Sequence, residues 1–306
     1  MATIGIFDSG AGGLSVFREI YRILPEADYV YWSDNAYCPY GEKSRTFIVD
    51  RARKITDFLL GEGADIIVVA CNTATAAAIN DLRYEYSDPR HPETADRVLN
   101  LTSGHHDHVM FIGMEPAIKP AAALTRTGVV GVLATAGTLG GQKYHCTRDR
   151  FASGVKVVEH VGKGFVELVE RGITSGPEAE NTVRASLQPL LDAGADVIVL
   201  GCTHYPFLMD VIRKVAGPGV SVIDPAPAVA RHLCDVMTSE GLLQASIAES
   251  GKLASSGSTA PVDAVRTSSC ADAPHVRLFS SGSPETLHKL YSSLFAYDPA
   301  SSLGKL

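Results

Sequence analysis

Two cysteines sit in matched settings. The segment Gly63-Ala64-Asp65-Ile66-Ile67-Val68-Val69-Ala70-Cys71-Asn72-Thr73 recurs as Gly194-Ala195-Asp196-Val197-Ile198-Val199-Leu200-Gly201-Cys202-Thr203-His204. Each copy is an apolar, largely β-branched run that ends in a thiol and polar groups. Such a run reads as a buried strand of a parallel sheet. Ligands of open α/β sheets bind at the carboxyl ends of strands, so both thiols stand where a ligand would lie. Two thiols facing each other across one ligand can take a proton from one side of a carbon and return one on the other. The thiolate is the basic form this needs, and a helix N-terminus favours it. Cys71 precedes an alanine-rich stretch from Thr73 to Leu82, so the helix dipole is expected to ease its ionisation.

Other residues fall at similar strand-to-helix turns. His204 follows Cys202 closely and can hold or relay its proton, while Pro206 marks the start of the next helix. Asp8-Ser9-Gly10-Ala11-Gly12-Gly13 is a turn whose glycines let backbone N–H groups approach an anion. It is not a dinucleotide fingerprint, because Ser15 stands where the last glycine would be needed, and no phosphate-loop motif occurs. A small carboxylate or ammonium ligand is expected there. Asp8 can bind an amino group, assist Cys71 or cap the following helix. Cys38-Pro39-Tyr40-Gly41 reads as a plain turn. The cluster His105-His106-Asp107-His108 lacks a scaffold and a neighbouring cysteine, so no metal site is expected. Cys146, Cys234 and Cys270 read as structural.

The elements that position these groups alternate along the chain. Strands are expected at 3–7, 28–33, 65–70, 109–112, 129–134, 155–159, 197–200, 221–223 and 276–280, with helices between them. In the segment 44–60, Ser44 is the cap and Phe47, Ile48, Ile55, Phe58 and Leu59 form an apolar face. Arg51, Arg53 and Lys54 are expected off that face, and Gly61 and Gly63 end the helix. The class is α/β with parallel sheets. A second repeat supports duplication: Ile4-Gly5-Ile6-Phe7-Asp8-Ser9-Gly10 has its counterpart in Val130 to Thr138. Two similar doubly wound lobes with a cleft between them are therefore expected. Residues 84–108 and 244–275 break the pattern and read as surface insertions or loops.

Composition narrows the class further. The 306 residues are 45% apolar and 20% charged, as in a soluble globular protein. A net charge of −7 argues against a nucleic-acid partner. No apolar run approaches membrane-spanning length, and no leader is expected before the first strand. Six scattered cysteines without a C-x-x-C motif fit reduced thiols of the cytoplasm.

Taken in order, these motifs resemble the glutamate racemases. The resemblance is carried by Phe7-Asp8-Ser9-Gly10 with Gly12-Gly13-Leu14-Ser15-Val16, by Pro39-Tyr40-Gly41 and by Ala70-Cys71-Asn72-Thr73-Ala74-Thr75. It continues through Glu115-Pro116, Ala134-Thr135 with Gly137-Thr138, Phe165 to Glu170, and Gly201-Cys202-Thr203-His204-Tyr205-Pro206. One departure is Gly162-Lys163, where that family often has Cys-Pro. The resemblance implies interconversion of L- and D-glutamate by two thiols, with Cys71 serving the D face and Cys202 the L face. It implies no cofactor and no metal. It makes Asp8 and His204 the groups that assist the thiols, and Glu170 the support of His204. It places substrate on Asp8, Ser9, Tyr40, Gly41, Asn72, Thr73, Thr135, Thr138, Thr203 and His204. It also implies a bacterial, cytoplasmic enzyme that supplies D-glutamate for peptidoglycan, with a homodimer as one assembly state. The lobes are expected at 1–115 with 224–306, carrying Asp8 and Cys71, and at 116–223, carrying Thr135, Glu170, Cys202 and His204.

Two other classes compete. Cys202 with His204 would suit a cysteine hydrolase, which leaves the repeat unexplained. A two-lobe amino-acid binder would explain the duplication but not the thiols. Within the racemases, aspartate or another acidic amino acid is the alternative substrate.

Overall fold

The computed structural model describes residues 2–88, 90–243, 265–267 and 275–295. Its strands are β1 (Thr3–Asp8), β2 (Asp28–Ser33), β3 (Ile66–Val69), β4 (Met110–Gly113), β5 (Val129–Ala134), β6 (Lys156–Val161), β7 (Val197–Gly201), β8 (Ser221–Ile223), β9 (Val265–Thr267) and β10 (Val276–Ser280). They form two sheets. One has the order β4-β3-β1-β2-β10-β9 and the other β6-β5-β7-β8. All pairings are parallel except β9 with β10.

The duplication is visible in register. β1 lies between β2 and β3 as β5 lies between β6 and β7. The aspartates of the repeated Gly-Ala-Asp triplet do matching work at the opposite ends of the strands from the thiols. Asp65 accepts the Thr3 backbone N–H at 2.7 Å, at the start of β1. Asp196 accepts the N–H groups of Arg126 and Thr127 at 2.8 and 3.3 Å, just before β5. Each carboxylate thus satisfies backbone donors that no strand partner reaches.

Both faces of the first sheet are covered. Phe7, Val30, Ile67 and Val69 pack with Ile48, Ile55 and Leu59 of the helix Arg45–Gly61 and Ala78 and Leu82 of the helix Asn72–Tyr86. On the other face, Ile4, Ile6 and Val68 share a core with Phe17 and Ile20. That core continues through Phe165, Leu187, Ile198 and Leu200, so one apolar body joins both sheets. Fully burying each such side chain contributes about 1.5–3 kcal/mol.

Ser44 caps the helix Arg45–Gly61 by accepting the Phe47 N–H, and Gly63 beyond it takes φ +86°. Arg51 departs from expectation: it is buried rather than off the apolar face, because Asp34 lies beneath it. The segment 84–108 is likewise more ordered than expected. The helix from Asn72 runs to Tyr86, and a second helix spans Pro92–Leu101. Its proline stands in the first helical turn, where the missing N–H costs nothing. Val98 of that helix is fully buried. Most of 244–275 lies outside the described residues, but Val265–Thr267 adds a strand to the first sheet. Among the described residues no helix is long and apolar enough to cross a membrane.

Candidate active site

The carboxyl ends of both sheets meet at one narrow cleft. It is lined by Ser9, Pro39, Tyr40, Gly41, Cys71, Asn72, Thr73, Thr135, Val166, Cys202, Thr203 and His204. Asp8, at the end of β1, lies fully buried behind Cys71. Glu170 lies behind His204 at the end of the helix Phe165–Glu170. Thr138 stands one step back, with its hydroxyl 3.0 Å from that of Thr135.

Cys71 is the N-cap of its helix, and its Sγ accepts the Ala74 N–H at 3.4 Å. Ser9 Oγ lies 3.7 Å from the same sulfur. These contacts favour the thiolate, as the helix position suggests. The balance nevertheless goes the other way. Burial, and next the negative charge of Asp8, push the Cys71 thiol well above its ordinary value. Desolvation outweighs the helix terminus because the sulfur is removed from water while the dipole supplies only partial charges. Burial also raises the Asp8 carboxyl, against the nearby His204 charge and the N–H groups of Gly13 and Gly10. Those two N–H groups donate at 2.9 and 3.2 Å, so Asp8 closes its turn as well as backing the thiol.

On the opposite side, His204 bridges two groups. Nδ1 is 3.8 Å from Cys202 Sγ, and Nε2 is 2.7 Å from Glu170 Oε1. Burial works against the imidazolium, yet the partners Cys202, Cys38 and Glu170 together hold it well above the usual histidine range. Glu170 also accepts the Ala11 N–H at 2.8 Å. The glycines of the β1 turn make room for this assembly. A Cβ on Gly12 would lie 2.3 Å from His204 Nδ1, so only glycine lets the ring sit there.

Side chains from the two sheets interlock around the cleft. The hydroxyl of Thr73 lies 2.9 Å from that of Thr135 and 3.3 Å from that of Thr138. Thr203 donates to Asp8 at 3.3 Å, and Ser15 donates to the Thr203 carbonyl at 2.9 Å. Both polar atoms of the Asn72 side chain are buried without a hydrogen-bond partner among the described residues. A buried unpaired polar group costs about 1–3 kcal/mol, which a bound polar ligand would recover.

Three features were not legible in the residues alone. Cys38, read as part of a plain turn, brings its sulfur to 3.9 Å from Glu170 Oε1. Asp34 and Arg51 lie under Tyr40, whose hydroxyl donates to Asp34. Val166 supplies an apolar wall to the cleft. The histidines at 106 and 108 instead pair with Asp65 and Asp107.

An α/β cleft with paired thiols defines a class of amino-acid racemases. Residues 108–233 match the Asp/Glu/Hydantoin racemase family. The glutamate racemase of Ectopseudomonas mendocina is 44% identical over 264 residues, covering 86% of this chain and 93% of that protein. The crystal structure of the glutamate racemase isoform RacE1 from Bacillus anthracis superposes with a TM-score of 0.72 at 27% identity, covering 97% of this chain and 94% of that one. That of Escherichia coli glutamate racemase, in complex with L-glutamate and the activator UDP-MurNAc-Ala, gives 0.62 at 33% identity over 78% and 82%. The chain belongs to the glutamate racemases and has their two-lobe α/β fold.

Proposed function

We propose that this enzyme interconverts L- and D-glutamate with Cys71 and Cys202 as acid and base on opposite faces of the α-carbon. The observation that carries this reading is that both sulfurs line one cleft, each beside its own titratable assistant. An α-C–H is a very weak acid, so the site must stabilise the developing carbanion. The Asn72 amide, the hydroxyls of Ser9, Thr73, Thr135 and Thr203, and the backbone N–H groups of the turns are suited to hold the carboxylates and amine. Tyr40 and Gly41 complete the walls, and Thr138 backs Thr135 and Thr73.

From L-glutamate, the Cys202 sulfur takes the α-proton while the Cys71 thiol delivers one to the other face. The raised Cys71 thiol is in the protonated form this direction requires. His204, steadied by Glu170, then exchanges the proton of Cys202, and Asp8 that of Cys71. The reverse sequence begins at Cys71. The Cys202–His204 contact alone also fits a hydrolase, but a hydrolase has no use for Cys71 in the same cleft.

The two lobes are assigned to 1–115 with 224–306 and to 116–223, each supplying one thiol. The reading places the enzyme in the bacterial cytoplasm, feeding D-glutamate to peptidoglycan, with a homodimer as one assembly state. Polarimetry with L-glutamate, D-glutamate and L-aspartate tests it. Decay of rotation from both glutamate enantiomers, and little from aspartate, is the expected result. Thioester trapping with one essential thiol would support the hydrolase instead.

A further inference from the structure

Three donor atoms of different elements converge behind His204. A sulfur of Cys38, a carboxylate oxygen of Glu170 and a ring nitrogen of His204 lie within 4.8 Å of one another. Glu170 Oε1 is 2.7 Å from Nε2 and 3.9 Å from Sγ. They arrive from three places: the turn after β2, the end of the helix Phe165–Glu170 and the turn after β7. Gly10 forms the remaining wall. A Cβ built there would lie 2.3 Å from Glu170 Oε1, 2.9 Å from Cys38 Sγ and 3.2 Å from His204 Nε2. The three donor atoms therefore pack directly against Gly10, and a side chain at residue 10 would displace them. Among the described residues this is the one such grouping of three potential metal ligands.

We propose that Cys38, Glu170 and His204 bind a thiophilic divalent cation of the zinc class, and that the bound cation switches racemisation off. The switch rests on the role given above to His204; the binding does not. A sulfur, an imidazole and a carboxylate form a set that suits zinc in tetrahedral geometry, with the fourth position open. The Nε2–Oε1 contact opens by about half an ångström to admit the ion. The surroundings orient the ligands: the Ala11 N–H holds the carboxylate, and Nδ1 faces Cys202. Binding releases the Cys38 thiol proton and the Nε2 proton, and the cation replaces both. With Nε2 on the metal, His204 loses the 2.7 Å contact with Glu170 that steadies its ring against Cys202.

Cobalt(II) is the probe, because a cobalt–thiolate bond gives a charge-transfer absorption independent of activity. Full-length protein is titrated with Co²⁺ under reducing, anaerobic conditions. The expected result is one cobalt per chain with that band, unchanged in Cys71→Ser. Cys38→Ser is expected to lose the band and to bind at least about tenfold more weakly. Cys38→His, which restores a ligand, is expected to bind cobalt without the band. Zn²⁺ is expected to displace cobalt and to slow racemisation. In Cys38→Ser, slowing relative to its own metal-free rate should need at least about tenfold more zinc. No band in the wild type, or a band that persists in Cys38→Ser and vanishes in Cys71→Ser, overturns the site. A cobalt site at Cys38 with racemisation indifferent to zinc overturns the switch alone. A protein that never racemises glutamate defeats the functional reading, while the cobalt titration still decides the site.

Discussion

Arg51 grips Asp34 in a buried, two-pronged ion pair below the cleft. Nε and Nη2 donate to the two carboxylate oxygens at 2.9 and 2.6 Å, and Tyr40 donates to the same carboxylate. The Arg51 guanidinium lies 4.2 Å over the Tyr37 ring. The pair thus fastens the loop that carries Tyr40 and Gly41 into the cleft. Arg51→Met leaves Asp34 charged, buried and unpaired. We expect a loss of about 3–5 kcal/mol in urea denaturation. A loss under about 1 kcal/mol would mean that the pair does not hold the loop.

Asp8 and Cys71 are coupled through the charge of the carboxylate. Its negative charge is the second cause, after burial, of the raised Cys71 thiol. Asp8→Asn keeps the shape and removes the charge, so the Cys71 thiol should become more acidic. At any pH below its titration, alkylation of Cys71 by iodoacetamide should therefore quicken in Asp8→Asn. Racemisation should nevertheless slow, by about 10²-fold or more, because the proton relay is lost. Slower alkylation in the variant would contradict the coupling.

Gly12 packs directly against the His204 ring. Gly12→Ala puts a methyl 2.3 Å from Nδ1, and the buried ring must move off Cys202. The expected result is a fall of about 10²-fold in kcat from L-glutamate with the fold intact by circular dichroism. Near-normal kcat would show that the ring position does not matter to turnover.

Asp196 anchors the turn before β5. Its carboxylate accepts from Thr125, Arg126 and Thr127, and these contacts overcome burial and hold its pKa at about 2, below the ordinary 3.8. A depressed carboxylate contributes stability above its unfolded value and loses it as pH falls through the folded one. The Tm of the wild type should therefore exceed that of Asp196→Asn at neutral pH. The gap should close as pH falls from about 4 towards 2. A gap that does not change with pH would place the effect in shape rather than charge.

The nine expected strands all form, because buried β-branched runs bounded by glycine and aspartate leave little alternative. Gathering Cys71, Cys202 and their neighbours in one cleft follows from the same pattern, since each motif closes a parallel strand at its carboxyl end. Arg51 was not legible, because an arginine among apolar positions gives no sign of the aspartate waiting beneath it. The helix Pro92–Leu101 was not legible in the segment 84–108 either, although a proline at the first turn can start a helix. The direction of the Cys71 shift was hidden too: sequence shows the helix behind the thiol but not how completely the lobes exclude water.

The central claim is that two sulfurs serve opposite faces of one carbon. The most direct measurement follows α-deuterium incorporation and optical rotation together in D₂O, from L- and from D-glutamate, for wild type, Cys71→Ala and Cys202→Ala. Wild type should incorporate deuterium and lose rotation from both sides. Each variant should lose racemisation in both directions by about 10²–10⁴-fold. Racemisation by either variant at a rate near that of the wild type would contradict the two-thiol account.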